Sequence, residues 1–301
     1  MDRFLRGLAR FTDGYLKTLP RLGKAHPSRP GTPLNLTVAE RRVEAPDVVS
    51  LALVGDGPLP AWQPGCHLDL HLPSGLRRQY SLCGNPFNRT GYRIAVRRLG
   101  SGSAEVHDLK PGNRITVRGP RNAFPFVAEG PVLFVAGGIG ITAILPMVLE
   151  SHRRNLDWRL VYTGRSRASM PFLDELPPGV DIRTGRTDDL LRDAHPDGAV
   201  YCCGPTSMLT AVRRDFASKR LHLERFSPPP IVDGRSFALD LRRSGVVLPV
   251  PADRSALDVL RDVRPNTPYS CRQGFCGTCD VNGVRICVDR PTGDRLVLED
   301  L

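Results

Sequence analysis

The chain has 301 residues, 41% of them hydrophobic and 24% charged, with a formal net charge of +11 at pH 7. This length suffices for two or three domains, and the composition is typical of a soluble globular protein. No apolar run approaches the roughly 20 residues that cross a membrane, so we expect no membrane span. The arginines are dispersed without a basic block, so we expect no nucleic-acid partner. Most of the excess charge lies before residue 234, where bound phosphates or an acidic partner would benefit from it.

Residues 1–33 differ in character from the rest of the chain. Apolar residues recur every three or four positions, at Phe4, Leu8, Phe11, Tyr15, Leu19 and Leu22. This spacing is typical of an amphipathic helix, and we predict that this helix packs against the rest of the protein. Binding to a membrane surface or to a partner protein is the alternative. A linker rich in Pro, Gly and Ser follows. Nothing here resembles a secretory signal, so the eight cysteines of the chain indicate a reducing cytoplasm.

Residues 34–126 contain short β-rich runs separated by turn residues. Several runs alternate apolar and polar residues, as antiparallel strands with one buried face do. Strands at this interval predict a small antiparallel β-barrel. The runs are Leu36–Val38, Val48–Val54, His67–Leu72, Tyr92–Val96 and Arg114–Val117.

Residues 127–226 change to continuous apolar strands that alternate with helices. Buried parallel strands of this kind predict a doubly wound α/β domain. The expected strands are Pro131–Ala136, Trp158–Thr163, Val180–Arg183 and Ala199–Cys203, with helices over Ile144–Arg153 and around Met170–Leu176.

The last part of the chain begins with a proline-rich linker at 227–234 and continues as an α+β domain at 235–301. This domain contains two expected strands, a helix near Ala256–Val263, a cysteine loop and a final strand. Four residues separate Cys271 from Cys276 and two separate Cys276 from Cys279, the spacing that binds a plant-type 2Fe–2S cluster.

Glycines and a fourth cysteine complete the predicted cluster site. Gly274 and Gly277 fall where such a loop needs positive φ or a close backbone approach. Cys287 is the candidate fourth ligand, although only seven residues, 280–286, separate it from Cys279, fewer than in plant-type ferredoxins. Structural zinc and disulfides are the alternatives, and both are disfavoured by the spacing and the expected compartment.

Two motifs of the barrel region suit a flavin phosphate. Arg78 can pair with a phosphate, while Tyr80 and Ser81 can pack on and hydrogen-bond an isoalloxazine ring. The run Gly100–Ala104 opens a helix whose free N–H groups would attract an anion. Taken alone, each motif also fits an ordinary surface arginine or a capping turn.

Two further motifs lie in the α/β region. The turn Gly137–Thr142 follows a buried strand and precedes a helix, the context of a dinucleotide site, although it is not the G-x-G-x-x-G pattern. Cys203, Gly204 and Pro205 end a later strand, where a thiol can face a nicotinamide. A buried core cysteine is the alternative for Cys203.

Together these motifs, in this order and followed by the cysteine loop, closely resemble the phthalate dioxygenase reductase family. That family, which includes the vanillate demethylase reductases, belongs to the ferredoxin–NADP reductase superfamily. The resemblance spans residues 34–301. It implies FMN in the barrel, reduced nicotinamide in the α/β domain and a 2Fe–2S cluster in a β-grasp ferredoxin domain.

The resemblance also implies roles for individual residues. Ser81 and Cys203 would lie at the reacting rings, and Cys271, Cys276, Cys279 and Cys287 would bind the cluster. The flavin would be bound by Arg78, Tyr80, Ser81, Ala95, Val96, Arg97, Gly102, Ser103 and Ala104. The nicotinamide nucleotide would be bound by Gly137, Gly138, Gly140, Thr142, Cys203, Gly204 and Pro205.

The implied function is electron transfer from NADH through the flavin and the cluster to an oxygenase of the Rieske type. The flavin accepts an electron pair and releases its electrons singly. A cytochrome P450 or another haem acceptor is the alternative partner, and a redox sensor without turnover is the alternative class. FAD remains open beside FMN. NADPH remains open beside NADH, because Arg165 or Arg167 could bind a 2′-phosphate.

Overall fold

The computed structural model of the protein describes residues 33–127, 130–185, 189–216, 218–227, 231–265, 267–269, 272–274 and 277–299. The predicted amphipathic segment, up to residue 32, and residues 228–230 of the predicted linker lie outside the described residues. Among the helices within these ranges, none combines the length and the apolar character that a membrane crossing needs.

The first unit is an antiparallel barrel, as predicted. Its six-stranded sheet has the order β4-β3-β6-β1-β2-β5. A bridge between Leu82 and Ile94 joins the two edges of this sheet and closes it. Leucine and valine side chains fill the interior, since alternate residues of each strand point inward. The strands are β1 (Leu34–Ala45), β2 (Val48–Val54), β3 (Cys66–His71), β4 (Arg77–Ser81), β5 (Gly91–Arg97) and β6 (Arg114–Asn122), and helix α1 (Ser101–Asp108) follows β5.

The second unit is a doubly wound parallel sheet of order β11-β10-β7-β8-β9. Alternate residues of its strands face opposite sides: Phe134 and Tyr201 pack in the cluster that contains α2, whereas Leu133 and Cys202 pack in the cluster that contains α3. Both faces are therefore buried, which explains the continuous apolar runs. The elements are β7 (Val132–Gly137), α2 (Ile141–Arg153), β8 (Trp158–Gly164), β9 (Asp181–Thr184), β10 (Ala199–Cys203), α3 (Thr206–Asp215) and β11 (Leu221–Glu224).

The helix predicted around Met170–Leu176 is wrong. The structure has a series of turns there, and Phe172 adopts a left-handed φ of 64° that no α-helix contains. In this conformation the Phe172 ring lies under the guanidinium of Arg93, 4.7 Å from it. A tertiary contact with the barrel therefore replaces the local helical preference.

The third unit is a three-stranded sheet of order β13-β12-β16 with one helix packed on it. Strand β12 pairs antiparallel with β13 and parallel with β16. A capping box begins the helix: Ser255 Oγ accepts from the amide of Asp258 at 3.2 Å. The elements are β12 (Phe237–Leu241), β13 (Val246–Val250), α4 (Ala256–Val263), β14 (Asp280–Val281), β15 (Val284–Arg285) and β16 (Arg295–Leu298). The exact domain boundaries given above stay predictions.

Candidate functional site

The crevice of the parallel sheet lies where its strand order reverses, between β7 and β10. The chain leaves β7 toward β8 on one side and leaves β10 toward β11 on the other, so the loops after β7 and β10 flank an opening. Open α/β sheets bind their ligands at this point. The predicted glycine turn and the predicted Cys203–Pro205 loop are the two walls of this crevice.

The two walls approach so closely that glycine is required. A Cβ on Gly140 would overlap the carbonyl oxygen of Cys203, and one on Gly137 would lie 2.6 Å from Pro205 Cδ. Gly138 has a φ of +53°. Thr142 is buried and donates to the Ile139 carbonyl at 2.9 Å, which holds the turn. A glycine turn has no side chains to block its backbone, and this one precedes α2, so a pyrophosphate could approach it closely.

Cys203 is a protonated thiol at the bottom of the crevice. It is fully buried, and burial raises its pKa well above the usual value. Glu224, the register partner of Cys203 on β11, raises it further. Cys203 therefore provides a small, uncharged, polarizable surface and is not a thiolate nucleophile.

Glu224 is a site residue that the sequence analysis missed. Burial raises its pKa to about 8, so the carboxyl is protonated at neutral pH. Its Oε2 atom is enclosed and has no hydrogen-bond partner among the described residues. An enclosed carboxylic acid beside the crevice offers a donor and an acceptor to a polar ligand. The only sequence signal was an acidic residue at the end of an apolar strand.

The predicted flavin motif lies on β4. Tyr80 is half-buried against the barrel core, and burial raises its pKa to about 12, so its hydroxyl keeps its proton. Ser81 is buried and faces His67 across the β3–β4 ladder. Burial lowers the pKa of His67 to about 4, so this neighbour is neutral.

Arg78 and the amino end of α1 form one corner. The Arg78 guanidinium lies over the first helical turn, so closely that a Cβ on Gly102 would be 2.8 Å from Arg78 Nε. Ser103 Oγ accepts from the amides of Leu99 and Gly100 at 2.8 and 2.9 Å and keeps the turn in shape. A cation beside the free N–H groups of a helix start fits a phosphate group.

Not every predicted flavin residue can contact a ligand in the same way. Val96 points into the barrel core, so only its main chain is available, and Ala95 packs toward the parallel sheet. The amide of Ala104 already donates to the Gly100 carbonyl at 2.9 Å. Arg97 reaches from the barrel to the parallel-sheet unit: its Nη2 donates to the Ser169 carbonyl at 2.8 Å.

Arg165 lies just beyond β8 and is exposed, as is Arg167. The end of the second strand of such a sheet is where an adenosine ribose binds. Arg165 is therefore within the region that distinguishes a 2′-hydroxyl from a 2′-phosphate.

The two glycines of the cysteine loop have the predicted backbone conformation. Gly274 and Gly277 have φ values of +83° and +70°, as expected. Cys279 and Cys287 are both buried and belong to the same core cluster. Cys271 and Cys276 lie outside the described residues.

A tight hairpin explains how so short a connection returns the chain to the loop. Asn282 and Gly283 both have positive φ, 52° and 85°, the geometry of a two-residue hairpin turn. The Ile286 amide donates to the Cys279 carbonyl at 3.3 Å, so Cys287, the residue after Ile286, follows directly from a contact with Cys279. The hairpin brings these cysteines together, which fits a shared cluster.

The C-terminal unit contacts both other units near the crevice and the phosphate corner. Arg78 Nη1 donates to the hydroxyl of Tyr269 at 2.5 Å, although the two residues are 191 positions apart. In the cysteine loop, Gln273 donates its side-chain amide to the carbonyl of Arg225, the residue after Glu224. Neither contact was predictable from sequence patterns, because each joins residues distant in the chain.

The barrel and the parallel sheet are joined by a bidentate ion pair. Arg93 Nη1 and Nη2 donate to the two carboxylate oxygens of Glu175 at 2.6 and 2.7 Å. The apolar contact beneath it includes Phe124 of the barrel and Tyr201 of the sheet, with ring centroids 5.6 Å apart. This interface fixes the crevice relative to β4.

Comparisons with known proteins agree with this geometry. A family model described as a 2Fe-2S iron-sulfur cluster binding domain matches residues 239–298. The vanillate O-demethylase oxidoreductase of Pseudomonas sp. (strain HR199 / DSM 7063) is 36% identical over 274 residues, which cover 82% of this chain and 86% of that protein.

The solved structures that match over most of this chain include a reductase and a larger oxygenase. Phthalate dioxygenase reductase, described as a modular structure for electron transfer from pyridine nucleotides to [2Fe-2S], is 31% identical with a TM-score of 0.68. The match covers 89% of this chain and 98% of that one. An intact type IV self-sufficient cytochrome P450 monooxygenase is 32% identical with a TM-score of 0.70, over 89% of this chain and 41% of that one.

Proposed function

The chain is an oxidoreductase that belongs to the phthalate dioxygenase reductase family, and on that basis we propose that it supplies electrons from NADH to a Rieske-type oxygenase. FMN would take two electrons and a proton from NADH as a hydride, leaving NAD⁺, and would return the electrons one at a time through a 2Fe–2S cluster to the acceptor. Two single-electron deliveries to the acceptor balance each NADH.

The observation that supports this proposal best is the convergence of three predicted sites. The Arg78 corner, the Cys203 crevice and the cysteine loop belong to three units of the chain. Tyr269, two residues before the cysteine loop, contacts Arg78, and Gln273 of the loop contacts Arg225, which supports a common location for the three sites. Two redox groups and a nucleotide bound there would be close together.

The side chains of the crevice suit hydride transfer. Cys203 and Glu224 are both protonated at neutral pH, because burial raises the pKa of each. No negative charge from these two groups would then oppose the reduced flavin. The buried Ser81 hydroxyl can donate a hydrogen bond to a ring nitrogen.

FMN suits the phosphate corner better than FAD does. Tyr269 occupies the far side of Arg78, where its hydroxyl is 2.5 Å from Nη1. An adenosine that extended from a flavin phosphate toward Arg78 Nη1 would meet this buried tyrosine. Binding of FMN in preference to FAD by flavin-free protein would support this choice, and a preference for FAD would contradict it.

NADH is the nucleotide that we propose. Family resemblance supports NADH, while the exposed Arg165 beyond β8 is the feature that would favour NADPH. We expect kcat/KM to be higher with NADH. We also expect Arg165→Ala to lower kcat/KM for NADPH more than for NADH, because only a 2′-phosphate pairs with the guanidinium. A parent enzyme that prefers NADPH would contradict the assignment.

A haem protein is the second candidate acceptor. The structural match to a self-sufficient cytochrome P450 monooxygenase favours it, since that protein contains a region similar to nine tenths of this chain. Steady-state reduction of purified Rieske oxygenases and of P450 domains by the same preparation would separate the two acceptors. Faster turnover of P450 would replace the Rieske proposal.

We also place the protein in the cytoplasm. Cys66, Cys83, Cys202 and Cys203 are buried free thiols. Free thiols persist in a reducing compartment.

Stopped-flow absorbance of the anaerobic holoprotein tests the electron path. After mixing with NADH, the flavin bands should bleach first and the cluster bands second. A protein whose flavin bleaches while the cluster bands never change would refute the proposed path. A protein that turns over no acceptor at all, including cytochrome c, would instead indicate a redox sensor.

A further inference from the structure

Tyr269 belongs to the C-terminal unit but reaches the barrel. It is buried, packs in the core cluster of the C-terminal unit and lies two residues before Cys271. Its hydroxyl accepts a hydrogen bond from Arg78 Nη1 at 2.5 Å. The contact therefore joins the segment just before the predicted cluster loop to the predicted phosphate corner.

The contact also fixes the direction in which Arg78 points. Nη1 donates both to the Arg77 carbonyl at 2.8 Å and to Tyr269. With Nη1 held in this way, the Nε edge lies over Gly102 at the start of α1. A guanidinium held in one orientation pairs with a phosphate at a lower entropic cost than a free one.

The Tyr269 ring is held by its own unit, independently of the hydroxyl. Arg261 lies over the ring, with its guanidinium carbon 4.1 Å from the centroid, and Arg272 lies 5.9 Å away. Arg272 is itself paired with Asp258 of α4. Removal of the hydroxyl alone should leave the ring in place, so the hydroxyl can be tested separately.

We propose that Tyr269 is a positioning residue that completes the flavin-phosphate corner from the ferredoxin domain, the C-terminal unit described above. Acting through Arg78, it links flavin binding to docking of the ferredoxin domain. Because such linkage is reciprocal, bound flavin stabilises the docked domain by the same factor by which docking strengthens flavin binding. The inference rests on the proposed function, since it assumes that Arg78 pairs with a flavin phosphate.

The test compares Tyr269→Phe with Tyr92→Phe in the full chain. Tyr92 is a matched control, because its buried hydroxyl donates to the Pro60 carbonyl at 2.7 Å within the barrel. Fluorescence quenching measures FMN affinity in flavin-free protein. Tyr269→Phe should weaken FMN binding about tenfold, the effect of losing one hydrogen bond to a charged group, and Tyr92→Phe should not.

A double-mutant cycle separates this effect from a general loss of structure. In an Arg78→Lys background, Tyr269→Phe should weaken FMN binding no further, because the partner of the hydroxyl is already altered. Equal FMN affinity in Tyr269→Phe and the parent would overturn the inference. Additive losses in the double mutant would also overturn it.

Stopped-flow rates of electron transfer in FMN-saturated protein provide a second, independent test of the positioning role. Tyr269→Phe should slow reduction of the cluster by the flavin while reduction of the flavin by NADH keeps its parental rate. Slowing of both steps by the same factor would overturn the positioning role. If the parent cluster is never reduced, the proposed function fails, and the FMN titration still decides whether Tyr269 supports the phosphate corner.

Discussion

The protonated state of Glu224 leads to a prediction about stability and pH. Its pKa is about 8 in the folded protein, because of burial, and 4.5 in a solvated chain. The folded protein therefore keeps a proton that the unfolded chain has lost between these values. The contribution of Glu224 to the free energy of unfolding should fall as pH rises from about 4.5 to about 8 and should level off above that range.

The size of this effect follows from the difference between the two pKa values. At 1.36 kcal/mol per pKa unit, the difference corresponds to about 5 kcal/mol at most. Glu224 as a whole is half-buried, so we expect about 2–3 kcal/mol in practice. Glu224→Gln, which cannot ionise, should remove this pH dependence.

Tryptophan fluorescence provides the assay. The chain has two tryptophans, so in a Trp62→Phe background Trp158 on β8 reports the parallel sheet alone. The urea midpoint of the flavin-free parent minus that of Glu224→Gln should decline from pH 5 through 7 to 9, because His67 and the buried thiols titrate in both proteins and cancel in the difference. Asp157→Asn, which replaces an exposed carboxylate in the same unit, is the control and should follow the parent. Parallel curves for Glu224→Gln and the parent would refute the reasoning.

Two further predictions concern the cofactor sites. Gly102→Ala should weaken FMN binding about tenfold, because the new Cβ would lie 2.8 Å from Arg78 Nε and displace the guanidinium. Gly100→Ala is the control and should bind FMN like the parent, because its new Cβ would have nothing within 4 Å. Equal FMN affinities of the two variants in fluorescence titrations would contradict this prediction. After anaerobic reconstitution, Cys287→Ala should lack the visible cluster absorbance and the acid-labile sulfide. Cys202→Ala, in the core of the parallel sheet, is the control and should keep both. A Cys287→Ala protein with a full cluster would show that another group is the fourth ligand.

Local patterns were enough to predict most of the fold. Strand β10 and helix α4 have the bounds expected from the sequence. The positive φ of Gly274 and Gly277 was predictable for the same reason: the backbone of a cysteine loop depends on neighbours in sequence. The dipeptide Asn282–Gly283 is also a local signal for a two-residue hairpin, and this hairpin accounts for the short connection between Cys279 and Cys287.

Contacts between units could not be predicted in this way. Glu224 owes its raised pKa to surroundings that β11 acquires only in the folded sheet. The hydroxyl of Tyr269 meets Arg78 across 191 positions, and no periodicity encodes that distance. The turns around Phe172 also depend on a contact between units, since its ring packs against Arg93 of the barrel. The residues that sequence reasoning missed are therefore mainly those that join one unit to the next.

The cysteines outside the cluster motif have a practical consequence. Burial raises the pKa of Cys66 and Cys83 to about 11 and that of Cys202 to about 12, and it raises the pKa of Cys203 as well. Alkylating reagents attack thiolates, so these four should remain unlabelled in the native protein at neutral pH. Maleimide labelling of the native protein should then be confined to the cysteines of the cluster motif, which become available when iron is lost. The increase in mass after labelling therefore measures the fraction of a preparation that has lost its metal centre.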